Sequence, residues 1–299
     1  MKEKFAIIEI GSNNTKIHIY ENNETIYDEK ITIELKKNYK KNNKIISSDL
    51  EKLEDVIKLA KETTDSVYLY GCSIFRKLKQ DELDSINKEL LNKYNVSIEV
   101  ISQEEEARLT ALGCYNDISY DKNICIFIGG GGSTELLLIN NKKILEHRYY
   151  DFGVVDITDK FPSLKEDIPK VSLKEVTDYI STLINDLDFQ ADLFILAGGD
   201  HLYWYENASF KCQKNTLYTS VNQPLMLDIK TSNKYDREAF NKSLDAIRNK
   251  SDNPAWFDGA RSMKAITNYI SNKIGAKYII PTKINMELGL KYTKGKNNK

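Results

Sequence analysis

The sequence predicts an α/β protein built from two duplicated domains with mixed sheets. Its 299 residues suffice for two domains and a sizeable core. A strand-turn-strand-strand unit occurs twice, and strands alternate with helices after each copy. We place the N-terminal domain at residues 1–118 and the C-terminal domain at 119–299, with the last helix a candidate to pack back on the first domain.

The first copy of this unit begins with a short apolar strand over residues 5–10. Gly11, Ser12, Asn13 and Asn14 follow, a composition typical of a turn. Residues 15–20 alternate apolar and polar side chains, as a half-buried strand does, and a third strand is predicted over 25–35. Ser12, Asn13 and Asn14 carry side chains that can donate hydrogen bonds to an anion.

A shift of 119 positions brings the second copy onto the first. Gly11 then falls on Gly130, Thr15 on Thr134 and Asn22 on Asn141. Two such units suggest a ligand held by both turns in a cleft between domains, where binding sites are common.

The second copy carries the most informative stretch, a four-glycine turn that ends in Ser133, Thr134 and Glu135. Consecutive N–H groups in such a turn form a concave nest for anions. The two hydroxyls add donors, and Glu135 can hold a divalent cation that bridges phosphate oxygens. We interpret Gly130, Gly131, Gly132, Ser133 and Thr134 as a phosphate cradle; the alternative is a glycine-rich hairpin without a ligand. The pattern matches neither the P-loop nor the dinucleotide-binding turn.

Other candidate site residues lie beside predicted strand ends. Arg76 suits bidentate phosphate contact or a surface ion pair, and Gly198 and Gly199 form a third candidate phosphate turn. Residues 104–106 are three glutamates at the start of a helix, where they either complement the helix dipole or supply a general base.

The remaining charged residues give weaker signals. Residues 36–44 read as a basic loop, either solvated or in contact with a polyanion. His18, His147 and His201 show no metal-ligand spacing. A net charge of −1 gives no indication of nucleic-acid or membrane-surface binding. The four scattered cysteines favour buried free thiols, and no run approaches a membrane span. We expect a cytoplasmic protein without a signal peptide.

Three motifs resemble those of the exopolyphosphatase / guanosine pentaphosphate phosphatase family, which has the actin-like ATPase fold with two ribonuclease-H-like domains. Residues 9–14 are similar to the family's Asp-x-Gly-Ser-Asn-Ser, and residues 102–109 to Ser-Gly-x-Glu-Glu-Ala-Arg-Leu. Residues 128–136 are similar to Asp-x-Gly-Gly-Gly-Ser-Thr-Glu-Leu. Weaker matches lie at residues 71–76, 152–155 and 197–199.

The resemblance implies a role for each matching residue. Glu105 falls on the catalytic base that activates water, and Arg76 on a phosphate-binding arginine. The turns at 11–14 and 130–134 fall on the phosphate loops, and Glu135 on a metal-binding glutamate. The implied cofactor is Mg²⁺, and the implied substrates are polyphosphate or guanosine penta- and tetraphosphate. Relatives are often dimers, but the sequence does not give the oligomeric state.

The chain departs from the family pattern at two acids. Glu9 stands where the family has its first-motif aspartate, and Ile128 where it has the aspartate before the glycines. Losing a carboxylate beside Mg²⁺ typically costs orders of magnitude in rate.

Three functions stay open at this point. The leading one is a Mg²⁺-dependent phosphoanhydride hydrolase, with Glu105 as base and Glu9 and Glu135 as metal ligands. The second is a non-catalytic relative that binds polyphosphate or a phosphorylated nucleotide as a sensor. The third is an ATP-using phosphotransferase of the same fold.

Overall fold

The computed structural model describes residues 4–12, 14–22 and 24–294 and confirms the predicted α/β class. Asn13, one of the predicted phosphate-binding residues, lies outside the described residues. The strands form a five-stranded and a seven-stranded mixed sheet. The chain divides into two compact units: unit 1 contains the residues up to Leu109 and those from Met286 onward, and unit 2 runs from Thr110 to Asn285.

Unit 1 is built on a sheet with the strand order β3-β2-β1-β4-β5. The β1–β2 and β2–β3 pairs are antiparallel, whereas β1–β4 and β4–β5 are parallel. Its elements are β1 (Lys4–Ile10), β2 (Asn14–Glu21), β3 (Glu24–Thr32), α1 (Leu35–Asn42), α2 (Ser47–Lys61), β4 (Val67–Gly71), a 3₁₀ turn (Ser73–Lys77), α3 (Gln80–Tyr94), β5 (Ile98–Val100), the start of α4 (Gln103–Tyr115) and α11 (Met286–Lys294).

The two faces of the unit 1 sheet are buried by different partners. Ala6, Ile8 and Ile10 point to one face, whose core includes apolar residues of α2 and α3. Phe5 and Ile7 point to the other face, where they form a cluster with residues of α4 and α11. This alternation follows from the period of two along a strand.

The prediction of a basic loop over 36–44 is wrong, because Leu35–Asn42 is a helix. Leu35 is buried and Tyr39 packs against the same core, so two apolar side chains four positions apart anchor one face. The helix ends at Asn43, which adopts a left-handed backbone with φ 53°. Its lysines therefore lie on a helix and not on a flexible loop.

Unit 2 is built on a sheet with the strand order β10-β11-β12-β9-β6-β7-β8. Its elements after α4 are β6 (Ile124–Gly129), β7 (Thr134–Asn140), β8 (Lys143–Tyr150), α5 (Val154–Lys160), a 3₁₀ turn (Pro162–Lys165), α6 (Leu173–Leu183), β9 (Leu193–Leu196), α7 (Asp200–Asn207), β10 (Gln213–Lys214), β11 (Leu225–Asp228), α8 (Ile229–Asn241), α9 (Leu244–Arg248), a 3₁₀ turn (Pro254–Gly259), α10 (Ala260–Lys273) and β12 (Tyr278–Pro281).

The internal repeat predicted from the sequence is present in the backbone. Gly11 N–H donates to Asn14 O at 2.9 Å, and Gly130 N–H donates to Ser133 O at 3.0 Å. The β2–β3 and β7–β8 pairs each contain one register shift, after Ile19 and after Leu138. Each of these positions in the first copy lies 119 residues before its counterpart, so the two copies share turn, strand and bulge.

The glycine turn of unit 2 is supported from behind by the start of α5. Val154 N–H donates to Gly130 O at 3.0 Å, and Val155 N–H donates to Gly131 O at 2.8 Å. A Cβ on Gly153 would lie 2.4 Å from Gly130 O and 2.7 Å from Gly131 O. Only glycine therefore permits this contact between two backbone segments.

None of the helices in the described part of the chain is both long enough and apolar enough to cross a bilayer. Cys72, Cys114 and Cys125 are buried free thiols, and Cys212 is a half-buried one. Burial raises the pKa of Cys125, so this thiol stays protonated at neutral pH.

Gly153→Ala should destabilise the protein by about 1–3 kcal/mol, because neither backbone oxygen can move away from the new methyl group. Urea unfolding measures the change. Gly132→Ala is the matched control, since a Cβ there meets no atom within 4 Å. Its cost should stay within about 0.5 kcal/mol. Equal stability of the two variants would contradict the proposed packing.

Candidate active site

The turn of unit 1 is held by backbone contacts on both sides. Ser12 O accepts from the N–H of Lys36 at 2.8 Å, which ties the turn to the start of α1. A Cβ on Gly11 would lie 2.9 Å from Asn14 O, so the tight closure of the turn requires glycine here. Asn14 Oδ1 lies 3.4 Å from the Thr32 hydroxyl. Gly11, Ser12 and Asn14, all predicted to bind phosphate, thus form one rigid turn.

In the turn of unit 2, two glycines are not required by the chain's own packing. Among the described residues, a Cβ on Gly130 or Gly132 would meet nothing within 4 Å, and neither glycine has a positive φ. Within the described part of the chain, the N–H groups of Gly131 and Gly132 donate to no backbone carbonyl. Open space beside backbone donors is what close approach of an anion requires.

Glu135 is the second residue of β7, the strand that leaves this turn, and its side chain is buried. Its Oε2 lies 3.3 Å from His147 Nε2, and the Glu135 side chain is 7% exposed. Ile128 is its direct neighbour across the β6–β7 pair. Ile128 occupies the position of an aspartate in the family pattern, so an apolar side chain lies beside the Glu135 carboxylate.

Glu105 lies in the first turn of α4, where its amide is capped by the Ser102 hydroxyl at 3.1 Å. Arg108, one helical turn further on, donates Nε and Nη2 to the two Glu105 oxygens, both at 2.6 Å. The Glu105 side chain is 41% exposed. The carboxylate is thus oriented by a bidentate contact and remains accessible to water.

Arg76 and Glu9 each have a charged partner in unit 1. Arg76 Nη1 donates to Ile101 O and to Glu106 Oε2, both at 2.9 Å. Glu9 Oε2 lies 3.3 Å from Lys16 Nζ. Burial raises the pKa of Glu9, and the Lys16 ammonium opposes part of that rise.

The third candidate turn, at Gly198 and Gly199, has its amides occupied. Gly198 N–H donates to Ile284 O at 2.8 Å, and Gly199 N–H donates to Thr282 O at 2.9 Å. Both glycines have φ above 90°, which favours glycine independently of any ligand. These two N–H groups are therefore not available to a phosphate, which could contact the turn only by close approach to its backbone.

A largely apolar cavity of about 200 Å³ lies beside the glycine turn of unit 2 and is lined by Gly130, Thr134, His201, Trp256 and Met263 among others. Within the described residues, neither ring nitrogen of His201 has a hydrogen-bond partner. Burial, followed by the charge of Lys264, holds the pKa of His201 well below its ordinary value. This imidazole is therefore neutral.

Three residues beside the candidate site residues were not predicted from the sequence. Arg108 stands three positions after Glu105, a spacing that predicts an ion pair on a helix. His147 and Trp256 come from other elements, and only the strand register and the tertiary fold bring them to the site.

Comparison with known proteins finds a matching family model and solved structures of the same fold. The model of the Ppx/GppA phosphatase family matches residues 17–203. The Aquifex aeolicus member of that family aligns over 100% of both chains with a TM-score of 0.77 and 18% identity. An exopolyphosphatase from Cytophaga hutchinsonii aligns over 99% of this chain and 98% of its own, with a TM-score of 0.72 and 16% identity. At these identities the structural matches establish the fold.

A curated relative from Fusobacterium nucleatum, a bifunctional 3-dehydroquinate synthase/phosphatase, is 27% identical over 172 residues. The match covers 52% of this chain and 26% of that protein. The family match spans more than half of the chain and includes the turn of unit 2, Glu105 and Glu135. The chain therefore belongs to the Ppx/GppA phosphatase family.

Proposed function

We propose that this protein hydrolyses a phosphoanhydride bond and releases the terminal phosphate of polyphosphate or of guanosine pentaphosphate. The observation that carries the proposal is the open space at Gly130 and Gly132, where the fold itself has no need of glycine. A phosphate group that approaches the backbone explains these residues. The relative from Cytophaga hutchinsonii, an exopolyphosphatase, supports the same class of substrate.

In this proposal each candidate residue has a role in phosphate binding or in hydrolysis. The amides of Gly131 and Gly132 hold phosphate oxygens in unit 2, and the turn of Gly11 to Asn14 does so in unit 1. Arg76 uses Nη1 for structural contacts, and its other N–H donors suit a phosphate. Glu105 accepts a proton from the attacking water, with Arg108 fixing the direction of the carboxylate.

The donor groups present fit Mg²⁺. Magnesium is usually bound by one or two carboxylates, with phosphate oxygens and water completing the octahedron. Glu135, beside the glycine turn, supplies such a carboxylate in unit 2; the assignment of Glu9 in unit 1 as a metal ligand stays a prediction. When bound, the ion would neutralise charge on the phosphate oxygens.

Glu105→Gln should lower phosphate release by about 10²–10⁴-fold, because the amide cannot accept the proton from water. Release of inorganic phosphate is measured with Mg²⁺ and each of the two substrates. Glu104→Gln, an exposed neighbour in the same helical turn, is the control and should keep activity. Unchanged release by the Glu105 variant would exclude it as the base.

Gly132→Ala should lower phosphate release and weaken substrate binding while leaving the unfolding midpoint unchanged. The added methyl group enters space that the chain leaves open and the proposed phosphate occupies. Activity and equilibrium binding are measured on the same preparation. Full activity in this variant would argue against the cradle.

A second candidate function is a binding protein that does not hydrolyse its ligand, and Ile128 favours it. This residue faces Glu135 across the strand pair, so one carboxylate stands where the family pattern has two. Such a protein would bind polyphosphate or the guanosine nucleotide without releasing phosphate.

Ile128→Asp should raise the affinity for Mg²⁺, because it places a second carboxylate beside Glu135. If a missing ligand limits hydrolysis, phosphate release rises with it by about tenfold or more. Ile128→Asn is the control for size and polarity. Binding without release in the parent chain, and release in the aspartate variant, would favour the binding protein over the hydrolase.

A further inference from the structure

A histidine and two glutamates, side chains of the types that can bind a metal, lie together on the face of the unit 1 sheet that α11 covers. Glu9 of β1, His18 of β2 and Glu287 of α11 each present one donor atom, and these atoms lie within 4.8 Å of one another. His18 is only 3% exposed. No metal-ligand spacing is visible in the sequence for this histidine, because its two partners in the group come from other elements.

Asp28 lies beside one nitrogen of the His18 ring. It is the direct neighbour of His18 across the β2–β3 pair, and its Oδ1 lies 3.1 Å from His18 Nδ1. A proton on Nδ1, on the side of this carboxylate, would leave the lone pair on Nε2. A carboxylate behind a histidine is the usual arrangement for a histidine that binds a metal through its other nitrogen.

The Nε2 atom of His18 points into the group without a satisfactory partner. It lies 2.7 Å from Glu287 Oε2 but makes no hydrogen bond within the described residues. A lone pair and a carboxylate oxygen repel at this distance unless a proton or a cation lies between them. Glu9 brings further negative charge to the same place.

We propose that Glu9, His18 and Glu287 form a site for a divalent transition metal, with Zn²⁺ as the preferred ion. One imidazole and two carboxylates suit zinc, whereas magnesium prefers oxygen ligands alone. Zinc would connect α11, which follows unit 2 in the chain, to the first two strands. The proposal does not depend on the proposed hydrolysis.

The donor atoms of the three side chains must move slightly closer together to bind the ion. Two ligand atoms that each lie about 2.1 Å from the same zinc ion are at most about 4.2 Å from one another. Lys16 holds Glu9 in an ion pair at 3.3 Å, so zinc competes with this ammonium. Removing the Lys16 charge should therefore strengthen zinc binding.

Titration calorimetry of the full chain, treated with EDTA and dialysed, tests the site with Zn²⁺ alone. We expect one zinc per chain, bound in the presence of excess Mg²⁺. His18→Gln and Glu287→Gln should each lower the affinity by at least about 100-fold, and Asp28→Asn by roughly 10–100-fold. Lys16→Met should raise it.

Glu135→Gln is the control, because this residue belongs to unit 2 and to the proposed Mg²⁺ chemistry. It should leave zinc binding unchanged. Glu9 is shared between the two proposals, so His18 and Glu287, which have no part in hydrolysis, decide the result.

Nitrogen-15 spectra of the histidine side chains in the unmodified protein provide a readout that does not depend on folding of the variants. One of the three imidazoles should shift its Nε2 resonance on addition of Zn²⁺. The proposal is overturned if no zinc binds, if zinc binds without this shift, or if well-folded His18 and Glu287 variants bind it normally. An imidazolium between two carboxylates would then account for the contacts.

Discussion

Both candidate phosphate turns depend on one backbone hydrogen bond, which closes the hairpin at the end of the first strand of each copy. It joins Gly11 to Asn14 and Gly130 to Ser133. The bond fixes the register of the strands that leave the turn, and register decides which face each side chain occupies. A slip of one residue would move Glu135 to the opposite face of its strand. The position of every acidic residue beside these turns therefore follows from the closure.

The glycines around the turn of unit 2 divide into two physical classes. Gly153 is required by the fold, because its Cβ would overlap two backbone oxygens. Gly130 and Gly132 have room for a side chain, and they keep the backbone accessible from outside. Contact with α5 and access for an anion use opposite sides of the same peptide groups. The carbonyl oxygens of Gly130 and Gly131 accept from α5, which leaves the other side of the peptide groups for an anion.

Sequence reasoning predicted the parts of the structure that are local or repeated. The spacing of 119 residues placed both hairpins, because turn chemistry and strand alternation are visible in short windows. The helix α1 was missed, since its lysines and asparagines resemble a loop and only burial of Leu35 and Tyr39 distinguishes it.

The residues of the candidate site also divide into those that local sequence patterns predict and those that they do not. The glycine turn, Glu105 and Arg76 are recognisable from motifs, whereas the contacts of His18 with Asp28 and Glu287 are not. Asp28 meets His18 through strand register, and Glu287 arrives from the far end of the chain. Contacts of this kind can be identified only from the tertiary fold, because no local sequence pattern indicates which helix covers a sheet.

The two copies distribute charge differently at equivalent positions, and this difference bears on how an anion is bound. In unit 1 the cross-strand pair is Glu9 and Lys16, whose charges cancel. In unit 2 it is Ile128 and Glu135, which leaves one carboxylate beside the glycine turn. Glu135 is largely buried, so its charge acts through a medium of low dielectric constant and repels phosphate strongly. If this turn binds phosphate as proposed, a divalent cation would offset that repulsion, and the anion should then bind only with the ion present.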